Sequence, residues 1–233
     1  MKKFLCVILG ILCVLALVAC GGGMTDSATT VETEEPTRPE SALLSLVENF
    51  DASKVNGFDY AAEQKTGQTA VNRHTVSVRL NSANGTVASR VESRMSLNED
   101  FTGDQFTETT VTTYYRNGKI AEQENETWVW KDGSLDEFLS VNLEALRFDF
   151  SLLRDLNLST SGNQSELTFR IDDANAAAFL GITRAVKDLS FEIKADAAGE
   201  KLLSFTMRYA QDLTSTVISL TSYLGSTNIT LPD

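Results

Sequence analysis

The chain has 233 residues, 42% of them hydrophobic and 22% charged, with 20 basic against 32 acidic residues and a formal net charge of −12. So acidic a surface repels nucleic-acid phosphates and anionic lipid headgroups, so no nucleic-acid partner is expected and any hold on a membrane must rest on apolar groups. The length is ample for one domain with a sizeable core and tight for two.

Lys2 and Lys3 supply a positive start, and Phe4 to Leu17 is an almost unbroken apolar run. At about fourteen residues it fits the core of an export signal and falls short of the roughly 20 needed to span a bilayer. The run ends in Leu17-Val18-Ala19-Cys20. This resembles the lipobox of bacterial lipoproteins, in which a diacylglycerol is attached to the cysteine thiol before a peptidase cuts in front of it. The resemblance implies that residues 1–19 leave as a lipoprotein signal peptide, and that Cys20 bears palmitate-like acyl groups that hold the protein on a membrane. Cys20-Gly21-Gly22-Gly23 is similar to the start of Gram-positive lipoproteins, which would place the domain on the outer face of the cell membrane. Cys6 and Cys13 leave with the signal, so the mature domain is expected to lack disulfides, thiolate nucleophiles and cysteine metal sites. Losing Lys2 and Lys3 takes the 20 basic residues to 18 against 32 acidic ones, a net charge of −14.

Residues 20–38 are rich in Gly, Thr, Ser and Glu, with Pro36 near their end, and bury too little to order themselves; they read as a flexible tether. The domain is expected over 39–233. Thr37-x-x-Glu40 suggests a capping box, followed by Leu43, Leu46, Val47 and Phe50 at helical spacing. From Phe58 the period becomes two: Val76, Val78 and Leu80; Val87, Val91 and Met95; Val111, Thr113 and Tyr115; Trp128 and Trp130. Asn84-Gly85 and Asn117-Gly118 fall between these runs, and Asn-Gly favours tight hairpins because both residues tolerate positive φ. The pattern predicts an antiparallel meander with one apolar face.

Ser134-x-x-Glu137 is a second capping box. Leu135, Phe138, Leu139, Leu143, Leu146, Phe150 and Leu153 follow at three- and four-residue steps, which predicts a helix with a wide apolar stripe, or two short helices broken near Phe148. Leu167, Phe169 and Ile171 alternate as a strand. Asp173 is placed as the cap of a short helix through Phe179 that Gly181 ends. Three more strands are expected, around Phe191 and Ile193, from Leu203 to Tyr209, and from Val217 to Tyr223.

Opening helix, long meander, apolar helical insertion and returning strands together resemble the LolA and LppX/LprG-like lipoproteins. The likeness is carried locally by Tyr114-Tyr115-Arg116-Asn117-Gly118-Lys119, the helix from Leu135 and the ending Tyr223-Leu224-Gly225 to Asp233. It implies an α+β half-barrel, a single curved antiparallel sheet whose concave face is covered by helices, and a non-enzymatic domain that binds or carries a lipid or other hydrophobic ligand. Leu135, Phe138, Leu139, Leu143, Leu146, Phe150 and Phe179 would line the cavity. The alternative is a structural or protein-interaction lipoprotein with a filled core, since the same bulky side chains can plug a curved sheet as readily as frame a pocket.

No catalytic residue is expected. His74 is the single histidine and reads as a solvated surface residue; neither Gly-x-Ser-x-Gly nor His-Glu-x-x-His occurs. The acidic pairs Glu34-Glu35, Glu99-Asp100 and Asp172-Asp173 lack the alternating ligands and turning glycine of a calcium loop and read as solvated charge. No metal or cofactor is expected, and the protein is expected to be a monomer.

Overall fold

Two meanders of antiparallel strands, one from each half of the domain, meet along a single strand pair. The computed structural model describes residues 38–83, 85–97, 106–141 and 146–232, all in the unit Thr37–Asp233. In sequence order these form α1 (Pro39–Glu48), β1 (Gly57–Thr66), β2 (Thr69–Asn81), β3 (Val87–Leu97), β4 (Phe106–Arg116), β5 (Lys119–Glu124), β6 (Thr127–Asp132), α2 (Leu135–Leu139), β7 (Leu153–Ser161), β8 (Gln164–Ile171), α3 (Asp173–Phe179), β9 (Lys187–Asp196), β10 (Leu202–Gln211) and β11 (Thr214–Tyr223). The strands make one 11-stranded sheet in the order β6-β5-β4-β3-β2-β1-β11-β10-β9-β8-β7. First and last strands therefore lie side by side at its middle, paired from Gly57↔Tyr223 to Thr66↔Thr214. The edge strands β6 and β7 do not pair, so the sheet stays open.

One face of this sheet is apolar along most of its width. Phe58, Val76, Val78, Leu80, Leu167, Ile193, Phe205 and Leu220 are all at most 2% exposed, and they share one cluster that runs from Tyr115 on β4 to Phe169 on β8. In a flat sheet those two strands would stand about 34 Å apart at the usual strand spacing. One continuous core across them requires the sheet to curl around it, and the result is an α+β half-barrel with α1, α2 and α3 packed on its inner side. Over β8 to β10 the core is solid: Phe148, Phe169, Phe179, Phe191 and Phe205 form a series of ring contacts with centroids 4.7 to 6.3 Å apart. Such stacked and edge-on pairs add to the burial of large apolar surfaces.

The Asn117-Gly118 hairpin forms as expected, with φ of 46° and 88° between the paired Arg116 and Lys119. Asn125 and Glu126 make a matching two-residue turn between Glu124 and Thr127, with φ of 47° and 67°. Asn84 and Thr37 lie outside the described residues. The helix caps differ from expectation. Arg38 occupies the N-cap of α1 without a side-chain bond, and Pro39, whose missing N–H is no loss in the first turn, starts the helix. Asp172 rather than Asp173 precedes α3, and the Asp173 carboxylate instead accepts the Asp188 N–H at 3.0 Å. Gly181 does end α3, at φ 66°, with the Ile182 N–H bonded to the Ala177 carbonyl at 2.9 Å.

The long apolar helix from Leu135 to Leu153 does not form. Ser134 caps as expected, its hydroxyl accepting the Glu137 N–H at 3.1 Å, but α2 ends at Leu139. Residues 146–149 run without helix to a 3-10 turn at Phe150–Leu152, and Leu153 already opens β7. Asp149 accepts the Ser151 N–H at 2.8 Å, and Glu48 of α1 accepts the Phe148 N–H, so polar side chains take backbone groups a helix would have used. The apolar residues insert between sheet and helices one at a time, a spacing that imitates a helical stripe.

Gly57 opens β1 at φ 154°, where an added Cβ would stand 2.4 Å from the Val78 carbonyl oxygen. Nothing flexible can give way there, because the obstacle is the backbone of the neighbouring strand. Gly57→Ala is expected to destabilise the domain by about 2 kcal/mol or more, read as a lower urea midpoint with an unchanged slope. A midpoint equal to that of the parent would contradict the placement of β1 against β2.

Candidate functional site

The inner face changes character at β3. Its apolar residues Val87, Val91 and Met95, expected to face the core, lie on the outer side, and Val91 is 39% exposed. Facing inward are Ala88, Arg90, Glu92 and Arg94, whose partners on β2 are Leu80, Val78, Val76 and His74. The register explains the inversion. Leu80↔Ala88↔Tyr115 puts the even-numbered residues of β3 on the same side as the buried Val76, Val78 and Leu80. Side chains alternate strictly along a strand, so the odd-numbered valines must then point out.

Three alternate residues of one strand thus carry charge plus, minus, plus. Glu92 Oε2 accepts from Arg90 Nη2 at 2.8 Å, and Oε1 lies 2.7 Å from Arg94 Nη2 and 3.0 Å from His74 Nε2. His74 is no solvated surface residue: its side chain is 31% exposed and its ring meets Tyr60 edge-on at 5.7 Å. Burial alone would raise the Glu92 carboxyl, but hydrogen bonds from Arg90 and Arg94, the Arg90 charge and the His74 contact outweigh it and hold it down to about 2. Arg90 also reaches across to α2, donating from Nη1 to the Phe138 carbonyl at 3.0 Å and to the Ser140 carbonyl at 2.7 Å. These belong to the orphan carbonyls at the end of a short helix, so the guanidinium of Arg90, delivered by the sheet, caps the C-terminus of α2.

Open space flanks α2 on both sides. Toward β3, β4 and β5 lies a cavity of about 440 Å³ bounded by Val111, Ile120 and Phe138, with Arg90, Glu122 and Glu137 among its polar walls. Toward α1 lies a second, of about 300 Å³, bounded by Val47, Phe50, Leu139 and Leu146. Both sizes fall near the lower end of small-molecule sites. Val111 is 57% exposed, unusual for a residue on the inner face of a curved sheet.

The expected lining residues therefore separate. Phe138 faces the larger cavity, and Leu139 and Leu146 the smaller. Phe179 stacks on Phe148 within the solid ring cluster, while Leu135 and Phe150 pack half-buried against the core. Leu143 lies outside the described residues, as does Cys20. Sequence reasoning missed Arg90, Glu92, Arg94 and Ile120. The signal was the Arg-x-Glu-x-Arg alternation, which becomes readable only once the pairing Leu80↔Ala88↔Tyr115 fixes which residues of β3 share a face with the core. Among the described residues no group of three or more His, Cys, Asp or Glu side chains could hold a metal, and no helix is long and apolar enough to cross a membrane.

Among solved structures the protein is similar to the Mycobacterium tuberculosis lipoprotein LppX, at 16% identity and a TM-score of 0.36 over 82% of this chain and 99% of that one. It is similar to LprF from Mycobacterium bovis at 11% identity and a TM-score of 0.40, over 84% and 96% of the two chains. A hypothetical protein from Chlamydia trachomatis matches at 13% identity and a TM-score of 0.26, over 75% and 92%. No family model and no curated protein matches the sequence.

A carboxylate that titrates lower in the folded protein than in the unfolded one contributes stability above its unfolded value, and loses it as pH falls toward the folded value. For Glu92 that window runs from its ordinary 4.5 down to about 2. Glu92→Gln is expected to cost about 1–2 kcal/mol at neutral pH, since solvent screens part of the cluster. Urea melts across that window should show the variant losing less of its remaining stability than the parent. Parallel profiles would show that the Glu92 cluster does not support the fold.

Proposed function

We propose that the protein is a non-enzymatic, membrane-anchored extracytoplasmic lipoprotein that binds or carries a hydrophobic ligand beside α2. The observation that carries this reading is the cavity of about 440 Å³ between β3–β5 and α2, where exposed Val111 and half-buried Ile120 offer apolar surface beside the buried Phe138. Apolar side chains left partly in water at the bottom of a concavity gain about 25 cal/mol for each Å² that a ligand covers, before association costs. The cavity's acidic and basic walls would orient a ligand with its polar end among them and its apolar end on Ile120 and Phe138.

In this reading the signal of residues 1–19 directs export, Cys20 bears the lipid, residues 20–38 set the reach of the tether, and the domain works at the outer face of a cell membrane. The lipobox Leu17-Val18-Ala19-Cys20 supports the anchor. With the mature protein near −14, acyl groups rather than charge must provide the attachment. Cys20→Ala is expected to move the protein from the membrane to the soluble fraction and to abolish incorporation of labelled palmitate. Label at parental levels in the variant would contradict the anchor.

The ligand site has its own test. Val111 is largely exposed, so Val111→Arg adds a charge to the cavity without burying one in the core. Uptake of a fluorescent fatty acid should fall by about tenfold or more, with the unfolding free energy from urea melts within roughly half a kcal/mol of the parent. Equal uptake by parent and variant, or none by the parent, would overturn the carrier reading.

A further inference from the structure

The β5–β6 hairpin leaves β4 early. β4 pairs with β3 along its full length, from Leu97↔Phe106 to Val87↔Arg116, but with β5 only at Tyr114, Tyr115 and Arg116. β5 meanwhile stays paired with β6 through Glu124↔Thr127. Beyond Ala121 the hairpin and β4 therefore part, and a notch opens between them on the flank of the larger cavity, whose wall includes Thr109, Val111 and Thr113 of β4 and Glu122 of β5.

Strand alternation fixes the backbone polarity of that edge. The Asn117 N–H donates to the Thr86 carbonyl at 3.1 Å, so the odd-numbered residues of this end of β4 direct their backbone groups to β3. Alternation then turns the N–H and C=O of Glu108, Thr110 and Thr112 toward the notch. The ladder to β5 ends at Tyr114↔Ala121, so among the described residues none of these three is paired to a strand on that side. The segment holds no proline, glycine, lysine or bulge, the devices by which open edges are usually blunted. Its surroundings are acidic: Glu108, Glu122, Glu124 and Glu126 lie along the two borders. The cations nearby are fewer: Lys131 lies 2.5 Å from Glu124 and 3.7 Å from Glu122, and Arg90 and Arg94 share Glu92, so the four border glutamates with Glu92 outnumber these three cations by two.

We propose that the β4 edge from Glu108 to Thr112 receives an extended, basic polypeptide segment as an added strand. The unsatisfied ladder supplies main-chain hydrogen bonds, and alternate side chains of the guest would meet Val111 and the cavity on one face and Glu108 on the other. Charge selects the occupant. A second copy of this protein, or its own acidic 20–38 segment, would bring like charge to an acidic border, whereas lysine or arginine at alternate positions complements it. This partner site goes beyond the hydrophobic-ligand reading and does not rest on it.

The probe is an eight-residue peptide of alternating lysine and valine, titrated into the protein by calorimetry, with a second peptide of the same sequence N-methylated at every residue, which leaves neither edge able to donate. Thr110→Pro removes one notch-facing N–H and no existing ladder bond, which an open edge tolerates. The plain peptide should bind, slow amide exchange at Thr110 and Thr112, and bind about tenfold or more weakly to Thr110→Pro and to Glu122→Lys. The N-methylated peptide should bind the parent about tenfold more weakly, and this arm decides the matter should Thr110→Pro fail to fold. No binding of the plain peptide, or equal binding of the two peptides by the parent, would overturn the proposal. So would undiminished binding by a folded Thr110→Pro. Fatty-acid uptake measured alongside reports on the cavity separately.

Discussion

The pairing of β1 with β11 is the constraint on which the rest depends. Its register, unbroken from Gly57↔Tyr223 to Thr66↔Thr214, joins residues more than 140 positions apart and turns two meanders into one sheet. Without it each half would expose an apolar face too narrow to enclose a core. The outer side of the seam is stitched by side chains from three strands: Asp59 accepts from Ser77 at 2.7 Å, from Arg79 at 2.9 Å and from the Tyr223 hydroxyl, while Arg79 lies 4.1 Å from the Tyr223 ring centroid. Burial works against the Asp59 charge, but Arg79, Tyr223 and Ser77 outweigh it and hold its carboxyl below the usual range. On the inner side Phe58, Tyr60 and Leu220 form the middle of the core.

From that seam the two halves are completed differently. The β8–β11 half is filled by phenylalanines, by α1 and by α3. The β3–β6 half carries charges inward and, among the described residues, is covered by five-residue α2, which is too short to be stable alone and is held by the Ser134 cap, the Arg90 clamp and the burial of Phe138 and Leu139. Open space collects where the cover is thinnest. That asymmetry, solid on one side and clefted on the other, places a packed interior and an open cleft within a single sheet.

Much of the fold was legible in the sequence. The two-residue alternation around Val76, Leu167, Phe205 and Leu220 and the Asn117-Gly118 turn give strands and register, because those signals are local and physical. The non-helical course of residues 146–149 was not legible: Leu146, Phe148 and Phe150 pack half-buried against partners distant in sequence, and spacing cannot tell such insertion from a helical stripe. Nor did β3 declare its inner face, since Val87, Val91 and Met95 offered the more hydrophobic alternative and only the long-range pairing to β2 and β4 overrules them. Of the expected lining residues, Phe138, Leu139 and Leu146 border open space, and Phe179 is committed to the ring cluster. Local pattern predicts burial well; whether a buried face is filled depends on side chains brought from elsewhere.

In the function proposed above, a hydrophobic ligand lies beside α2 over β3–β5 and not in the phenylalanine core. Methyl NMR with a spin-labelled fatty acid tests this most directly, because paramagnetic broadening marks the methyl groups that touch the ligand. Broadening is expected at Val111 and Ile120, with Ile193 and Leu167 spared. Broadening centred on Ile193 and Leu167, or at no methyl group, would contradict it.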